Sequence, residues 1–282
     1  MALDQIGDVE EEEEMSFLDH LEQLRWHLIR ALIAIGVVTI LAFLFPEFLF
    51  QKIIFAPSKA DFWTFRMFCE LGQLVGVDSF CIDELKFDLQ SRKPSGQFMM
   101  YITASFVSGL IVAFPYLIWE IWRFIKPGLY NNEKKATRGA VFYVSLLFAL
   151  GISFGYFIIS PISFYFFSGF SLDPSIRNDF DIVNFVSLLI TIVLGSGFLF
   201  QLPMAILFLS KAGVVTPGLL RKYRRHAVVA ILIIGALITP PDPFSQIFVA
   251  LPLFTLYEIG IVISTRIHKR KLSAETALSK ES

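Results

Sequence analysis

The sequence predicts an all-α membrane protein with six transmembrane helices and both termini in the cytoplasm. The 282 residues are 55% hydrophobic and 17% charged, which is more apolar than soluble domains, where about 45–50% is usual. Apolar runs recur along the chain, and several reach the roughly 20 residues that cross a bilayer. Lys and Arg collect in alternate connections, with 17 of the 24 on the side that holds both termini. Such an excess marks the cytoplasmic side.

The six predicted spans belong to one membrane domain, residues 16–267, and leave one long connection and two tails. The connection, residues 50–97, has a mixed sequence that predicts short amphipathic helices forming an outward cap. The acidic residues 1–15 predict a disordered cytoplasmic tail rather than a targeting peptide, and residues 268–282 predict a basic cytoplasmic tail. The predicted spans are residues 27–49, 98–125, 138–169, 183–211, 226–239 and 247–265.

The fifth span is short, because only residues 227–239 are continuously apolar. They make about 20 Å of helix against a hydrocarbon core of about 30 Å. Either the preceding RKYRR extends the helix with snorkelling side chains, or the bilayer thins locally, and we favour a combination of the two. Prolines inside other spans kink helices and fit a concave bundle. These are Pro115, Pro161, Pro203 and Pro252.

Three polar residues inside the predicted spans matter most for function: Glu120, Gln201 and Glu258. Glu120 and Glu258 are near the cytoplasmic ends, where snorkelling explains each of them. Gln201 lies deeper, and a polar group that faces lipid there costs several kcal/mol. A hydrogen bond between packed helices and a place on an internal cavity are about equally good interpretations of Gln201.

The segment before the first span and the loop after the second span carry the candidate binding residues. SFLDHLEQLRWHL, residues 16–28, has leucines at three- and four-residue spacing and predicts an amphipathic helix that leads into the first span. The basic loop FIKPGLYNNEKK begins at Phe124 and holds one carboxylate, Glu133. Glu133 is either the first-turn acid of the next helix or an acceptor for a guanidinium group. The loop alone favours the first interpretation.

Three residues on the predicted outward side have a structural role to consider. Asp242 in TPPDPFSQ can cap the last span, with Pro243 in the first helical turn. Cys69 and Cys81 face outward, where a disulfide is permitted, and the sequence leaves open whether it forms.

No nucleophile elbow, zincin, P-loop or dinucleotide motif occurs in the sequence. We therefore predict no enzyme activity, metal, cofactor or nucleic-acid partner.

Four motifs in order resemble the TatC family, the multispanning receptor subunit of the twin-arginine protein translocase. They are HLEQLR, PYLIWEIWRFIKPGLYNNEKK, FQLP, and TPPDPFSQ followed by YEIG. The resemblance covers residues 16–267 and implies a cup-shaped, six-helix protein of the bacterial inner membrane. It implies binding of paired-arginine signal peptides and export of folded proteins powered by the proton-motive force. It also implies single-span partners of the TatA and TatB type and self-association in a receptor complex.

The resemblance assigns roles to residues on the cytoplasmic side. Glu133 matches the loop carboxylate that receives a signal-peptide arginine, and Phe124 matches the aromatic residue beside it. The second arginine-binding acid of the family falls on Gln23, which supplies no charge. Glu22 is the residue next to Gln23, but one residue along a helix is a rotation of about 100°, so its side chain lies on a different side of the helix. Two further residues match the same motif and are expected to hold the helix in place, Arg25 and His20.

In the membrane, Gln201 and Pro203 match the concave face that contacts the single-span subunits, and Gln201 stands where the family often has Glu. Pro57 and Asp242 match outward-loop positions. A second hypothesis is a small-solute or ion transporter with Gln201 in its pathway, although the internal repeats common in such transporters are not visible. An intramembrane hydrolase ranks third, because no nucleophile with a base is found.

Overall fold

The structure is a computed structural model in which the described chain is mainly helical. It describes residues 17–76, 81, 87–126, 139–173, 175, 178–238 and 243–281, and their side chains except those of 17–21, 75, 243–245 and 274–281. Within these residues there are ten α-helices. They are α1 Phe17–Leu44, α2 Trp63–Val75, α3 Gly96–Ile125, α4 Ala140–Phe154, α5 Ser160–Gly169, α6 Ile182–Leu199, α7 Leu202–Lys211, α8 Pro217–Lys222, α9 Arg224–Ile238 and α10 Pro243–Glu281.

Short irregular elements complete the described fold. A π-helix, Phe48–Ile54, and a 3-10 turn, Ala56–Ser58, follow α1. A second π-helix, Gly155–Ile159, joins α4 to α5 without a break. Two strands of two residues each, β1 Leu89–Gln90 and β2 Phe180–Asp181, pair in parallel and tie together the connections that precede α3 and α6.

Five helical stretches of the described chain are long and apolar enough to cross a membrane. They match five of the six predicted spans. The remaining predicted span, the fifth along the chain, corresponds to α9. This helix has 15 residues and measures about 22 Å, which is less than the thickness of the hydrocarbon core. RKYRR extends this helix only in part: Arg224 and Arg225 begin α9, whereas Tyr223 separates them from Arg221 and Lys222 of α8. The five stretches are Glu22–Leu44, Gly96–Ile125, Ala140–Gly169, Ile182–Lys211 and Gln246–Ser273.

The first and last helices differ most from the predicted bounds. α1 ends at Leu44 rather than at residue 49, because a residue that precedes a proline, here Pro46, is disfavoured in helical conformation and ends the regular helix nearby. α10 continues to Glu281, past the predicted span end at 265 and through the predicted tail 268–282. Residues 266–281 contain no Pro or Gly, so nothing in the sequence ends the helix there.

A proline inside one span creates the attachment point for α2. Pro161 has no N–H, so the carbonyl of Phe157, four residues earlier, loses its helical partner. The hydroxyl of Thr64 on α2 donates a hydrogen bond to that carbonyl, and Thr64 is fully buried. The backbone group freed by the proline is thus satisfied by a side chain of the connection between α1 and α3.

Glycines allow the closest contacts between spans. A Cβ on Gly109 of α3 would lie 2.9 Å from the backbone nitrogen of Thr39 on α1, and one on Gly151 of α4 would lie 2.8 Å from the Cα of Gly197 on α6. No side chain fits at these distances. The spans pack backbone against backbone, as small residues permit in membranes.

Candidate functional site

The predicted signal-peptide residues that the structure describes lie on two packed helices, α1 and α3. On α1, the exposed residues of this set are Glu22, Gln23 and Arg25, which lie in the second and third turns of the helix. Phe124 lies in the last turn of α3. His20 belongs to α1, and its side chain is outside the described part. Glu133 lies outside the described residues. We call the region where α1 begins and α3 ends the α1–α3 end.

A polar cluster around the buried Glu120 lies one helical turn inside the α1–α3 end. The Nδ1 atom of His27 is 2.5 Å from Oε2 of Glu120, and the hydroxyl of Tyr116 donates to Oε1 of Glu120 over 2.8 Å. Glu120 is 1% exposed. The snorkelling interpretation of Glu120 is therefore wrong, because both carboxylate oxygens are bonded inside the bundle rather than turned toward water.

This cluster links the predicted halves of the site. His27 is one turn after Gln23 along α1, and Glu120 is one turn before Phe124 along α3. The ring of His27 also meets the ring of Phe124 edge to face, with 6.4 Å between centroids. His27, Glu120 and Tyr116 were not among the predicted site residues. The available signal was an intramembrane acid and a histidine at similar depth in two successive spans.

Basic side chains surround the α1–α3 end. Arg25 and Arg30 are exposed on α1, and Arg123 of α3 lies over the ring of Trp119, 4.8 Å from its centroid. Lys126 directly follows α3. Among the described side chains of this end, the carboxylates are the exposed Glu22 and the fully bonded Glu120.

A second feature is an apolar groove of 620 Å³ between α3, α4 and α7. Gln201, between α6 and α7, lines it, and its Nε2 donates to the carbonyl of Val144 on α4 over 3.1 Å. Its Oε1 is buried and has no hydrogen-bond partner in the described part of the chain. Both predicted interpretations of Gln201 thus apply, since it bonds a neighbouring helix and borders a cavity. Pro203 is buried in the first turn of α7.

The second intramembrane acid, Glu258 of α10, bonds Arg224 at the start of α9. Their closest atoms are 2.5 Å apart, and the side chains are 32% and 51% exposed. Partial exposure fits the predicted position near a membrane boundary. The other oxygen of Glu258 is buried and has no hydrogen-bond partner among the described residues.

The predicted outward residues are placed as follows. Pro57 is fully buried in the 3-10 turn after α1. Cys69 of α2 is bonded to Cys81 as a disulfide. Asp242 lies outside the described residues. Among the described side chains, no cluster of three or more His, Cys, Asp or Glu could hold a metal ion.

A bundle with five helical stretches long and apolar enough to cross a membrane, a polar cluster around Glu120 and an apolar groove defines a multi-pass membrane protein. The chain belongs to the TatC family: the sequence model described as Sec-independent protein translocase protein (TatC) matches residues 19–252. The resemblance noted in the sequence is thereby confirmed. Family membership makes the chain a component of a protein translocase that assembles with other subunits.

Similar proteins extend along most of the chain. A Sec-independent protein translocase protein TatC of Blattabacterium sp. subsp. Periplaneta americana is 39% identical over 263 residues, which are 93% of this chain and 99% of the relative. TatCy of Bacillus subtilis is 32% identical over 94% of each chain. A crystal structure described as twin arginine translocase receptor TatC is 29% identical, covers 88% of this chain and 99% of its own, and superposes with a TM-score of 0.65.

Proposed function

We propose that the protein is the receptor and core subunit of a twin-arginine translocase. It binds paired-arginine signal peptides at the α1–α3 end and exports folded cargo with the proton-motive force, without catalysing a reaction. One observation carries the proposal: the bond between His27 and Glu120 joins the two helices that carry Gln23 and Phe124. Membership of the TatC family supports the same role.

Each site residue has a physical role in this proposal. Glu133 accepts two parallel N–H bonds from one arginine, and such a charge-assisted pair contributes roughly 1.5–3 kcal/mol. The face of Phe124 stacks on the guanidinium plane. Gln23 accepts a hydrogen bond from the second arginine, and Glu22 adds negative charge beside it. Two residues orient α1 for these contacts, Arg25 and His20.

The charge distribution makes Glu133 the dominant group in this scheme. Arginines of a peptide are repelled by the basic side chains of the α1–α3 end, and Glu120 has no free oxygen to offer them. Of the carboxylates that remain, Glu22 is one residue away from the helical position that the family motif uses. Glu133 therefore carries more of the arginine recognition than it would if position 23 were an acid.

Crosslinking in cells tests the site. With a photoreactive residue at position 133, we expect a crosslink to a twin-arginine signal peptide, and we expect it to disappear when both arginines become lysines. Lysine keeps the charge but cannot form the two-pronged bond. We also expect Glu133→Ala to abolish export of a folded reporter, since the exposed carboxylate of Glu22 lies one residue away from the helical position that the family motif uses.

Position 258 is the matched control, because Glu258 is also an acid near a membrane boundary but is paired with Arg224. A photoreactive residue there should not capture the arginine pair. Undiminished export by Glu133→Ala, or equal crosslinking of the lysine peptide, would show that the arginine site lies elsewhere.

The apolar groove is the proposed contact for single-span subunits of the TatA and TatB type. Its walls are apolar apart from Gln201 and Lys211, which suits the side of a hydrophobic single-span helix. The same crosslinking with the photoreactive residue at Ala205, which lines the groove, is expected to capture these subunits. Capture from Leu74 of α2 instead would remove the groove from the proposal.

The proposal includes six spans, cytoplasmic termini and the bacterial inner membrane. α9 is the fifth of these spans, and the bilayer thins around it with Arg224 and Arg225 snorkelling to the surface. Residues 1–15 and the end of α10 then lie in the cytoplasm, and Pro57, Asp242 and the disulfide face outward. Receptor subunits associate with one another in the complete complex. A small-solute transporter is the weaker alternative, because the groove offers few polar contacts.

A further inference from the structure

The exposed surface of α2 is divided lengthwise into an apolar and a polar stripe. Trp63, Met67, Leu71 and Leu74 follow one another at spacings of four, four and three residues, which places them on one line along a helix. Trp63 and Leu71 are each 50% exposed and Leu74 is 82% exposed. We call this line the apolar stripe of α2.

A line of polar residues runs beside the apolar stripe. Arg66, Glu70 and Gln73 each precede a stripe residue by one position, so they lie about 100° around the helix from it. All three are exposed. The remaining side of α2 packs on the bundle, where Thr64 and Phe65 are buried. α2 thus has one side on protein, one apolar side and one polar side.

The apolar stripe is continuous with the outer surface of a membrane span. The ring of Trp63 meets the ring of Phe157 edge to face, with 5.8 Å between centroids. Phe157 lies within the span Ala140–Gly169 and is 38% exposed. The hydroxyl of Thr64 also bonds the Phe157 carbonyl. The start of α2 is therefore held at a level of the bundle that already belongs to an apolar span.

We propose that α2 lies along the membrane–water boundary, with its apolar stripe in the acyl chains and its polar stripe in water. The partner is the lipid surface itself. A helix with this division buries its apolar side roughly 5–10 Å into the headgroup and acyl region, and tryptophan favours that level of the bilayer. The stripe is one residue wide and bordered by Arg66 and Glu70, which suits a lipid boundary better than a protein partner that would also bury the charges.

Site-directed spin labelling of the full chain in vesicles of phosphatidylethanolamine and phosphatidylglycerol tests this placement. One label is introduced at a time by Met67→Cys, Leu71→Cys or Leu74→Cys, with Arg66→Cys, Glu70→Cys and Gln73→Cys as controls one residue away. Cys69 and Cys81 are bonded to each other and do not take the label. We expect oxygen to reach the stripe positions better than a water-soluble nickel complex does, and the order to reverse at the controls.

Two spin-label results would overturn the proposal. Equal nickel accessibility of both sets would place α2 in water. Protection of the stripe positions from both reagents would mean that a protein surface covers them. A second measurement leaves the cysteines unchanged: brominated lipids should quench Trp63, so quenching should fall in Trp63→Phe. Unchanged quenching in that variant would also exclude lipid contact.

Discussion

Glu120 and Glu258 each bond a basic side chain of a neighbouring helix at 2.5 Å, but their surroundings differ. Glu120 is 1% exposed and its pair with His27 lies between α1 and α3, whereas the side chains of Glu258 and Arg224 are 32% and 51% exposed. Both oxygens of Glu120 are bonded, the second by Tyr116. Glu258 has one bonded oxygen and one buried oxygen without a partner in the described chain.

The difference shows that separation alone does not decide what an ion pair contributes. A pair that remains near water is screened and contributes little to stability. A buried pair costs desolvation, and its value is that neither member can lose its partner without leaving a charge or a polar group unsatisfied. The cluster around Glu120 therefore fixes how α1 and α3 meet, whereas the pair of Arg224 and Glu258 constrains α9 and α10 less.

The largest expected effect is from Glu120→Ala. It leaves His27, which is 15% exposed, without its acceptor and removes the acceptor of the Tyr116 hydroxyl, which should lower the free energy of unfolding by about 3 kcal/mol. The control Glu258→Ala should cost less than about 1 kcal/mol, because that pair is partly in water. Unfolding of both variants in the same detergent measures the two values. Equal losses of unfolding free energy in the two variants would mean that burial does not make the Glu120 pair more important for stability than the Glu258 pair.

A smaller effect is expected from Tyr116→Phe. It removes one hydrogen bond to Glu120 and keeps the ring, which should cost about 1 kcal/mol. Tyr143→Phe is a matched control, because Tyr143 is an exposed tyrosine of α4 whose hydroxyl bonds no described residue. Thermal unfolding should separate the two variants. If both variants unfold at the same temperature, the hydrogen bond from the Tyr116 hydroxyl to Glu120 does not contribute to stability.

The smallest effect is expected from Arg224→Gln, about 0.5 kcal/mol at low ionic strength. We expect it to vanish at about 1 M salt, where charges are screened within about 3 Å. The loss in Glu120→Ala should persist at that salt concentration, since its site is closed to ions. Repeating the unfolding measurements across salt concentrations compares them. A loss in Arg224→Gln that does not change with salt would mean that this pair is shielded as well.

The sequence predicted the spans well because each is a long apolar run, and the bilayer requires little more of a helix. The second, third and fourth predicted ranges agree with the structure to within two residues at both ends, whereas those of α1 and α10 differ by more. The end of α10 was missed because hydropathy falls at residue 266 while helix propensity does not. The apolar sequence therefore ends near residue 266, whereas the helix continues to Glu281.

The polar cluster could not be predicted from one span at a time. Glu120 alone resembles an acid that reaches the surface, and His27 alone resembles part of an amphipathic helix. Their bond requires α1 and α3 to pack closely, and that depends on the small residue Gly109 facing α1. The predicted roles of Phe124 and Gln23 came from family motifs, whereas the groups that join their helices required the fold.

The bond between Thr64 and the Phe157 carbonyl has a consequence for how this sequence can change over time. Pro161 creates the need for a donor, and Thr64, 97 positions away in the chain, supplies it. Replacement of the proline by a residue with an N–H would make the hydroxyl redundant, and loss of the hydroxyl would penalise the proline. Across related sequences, the residues at these two positions should therefore vary together rather than independently.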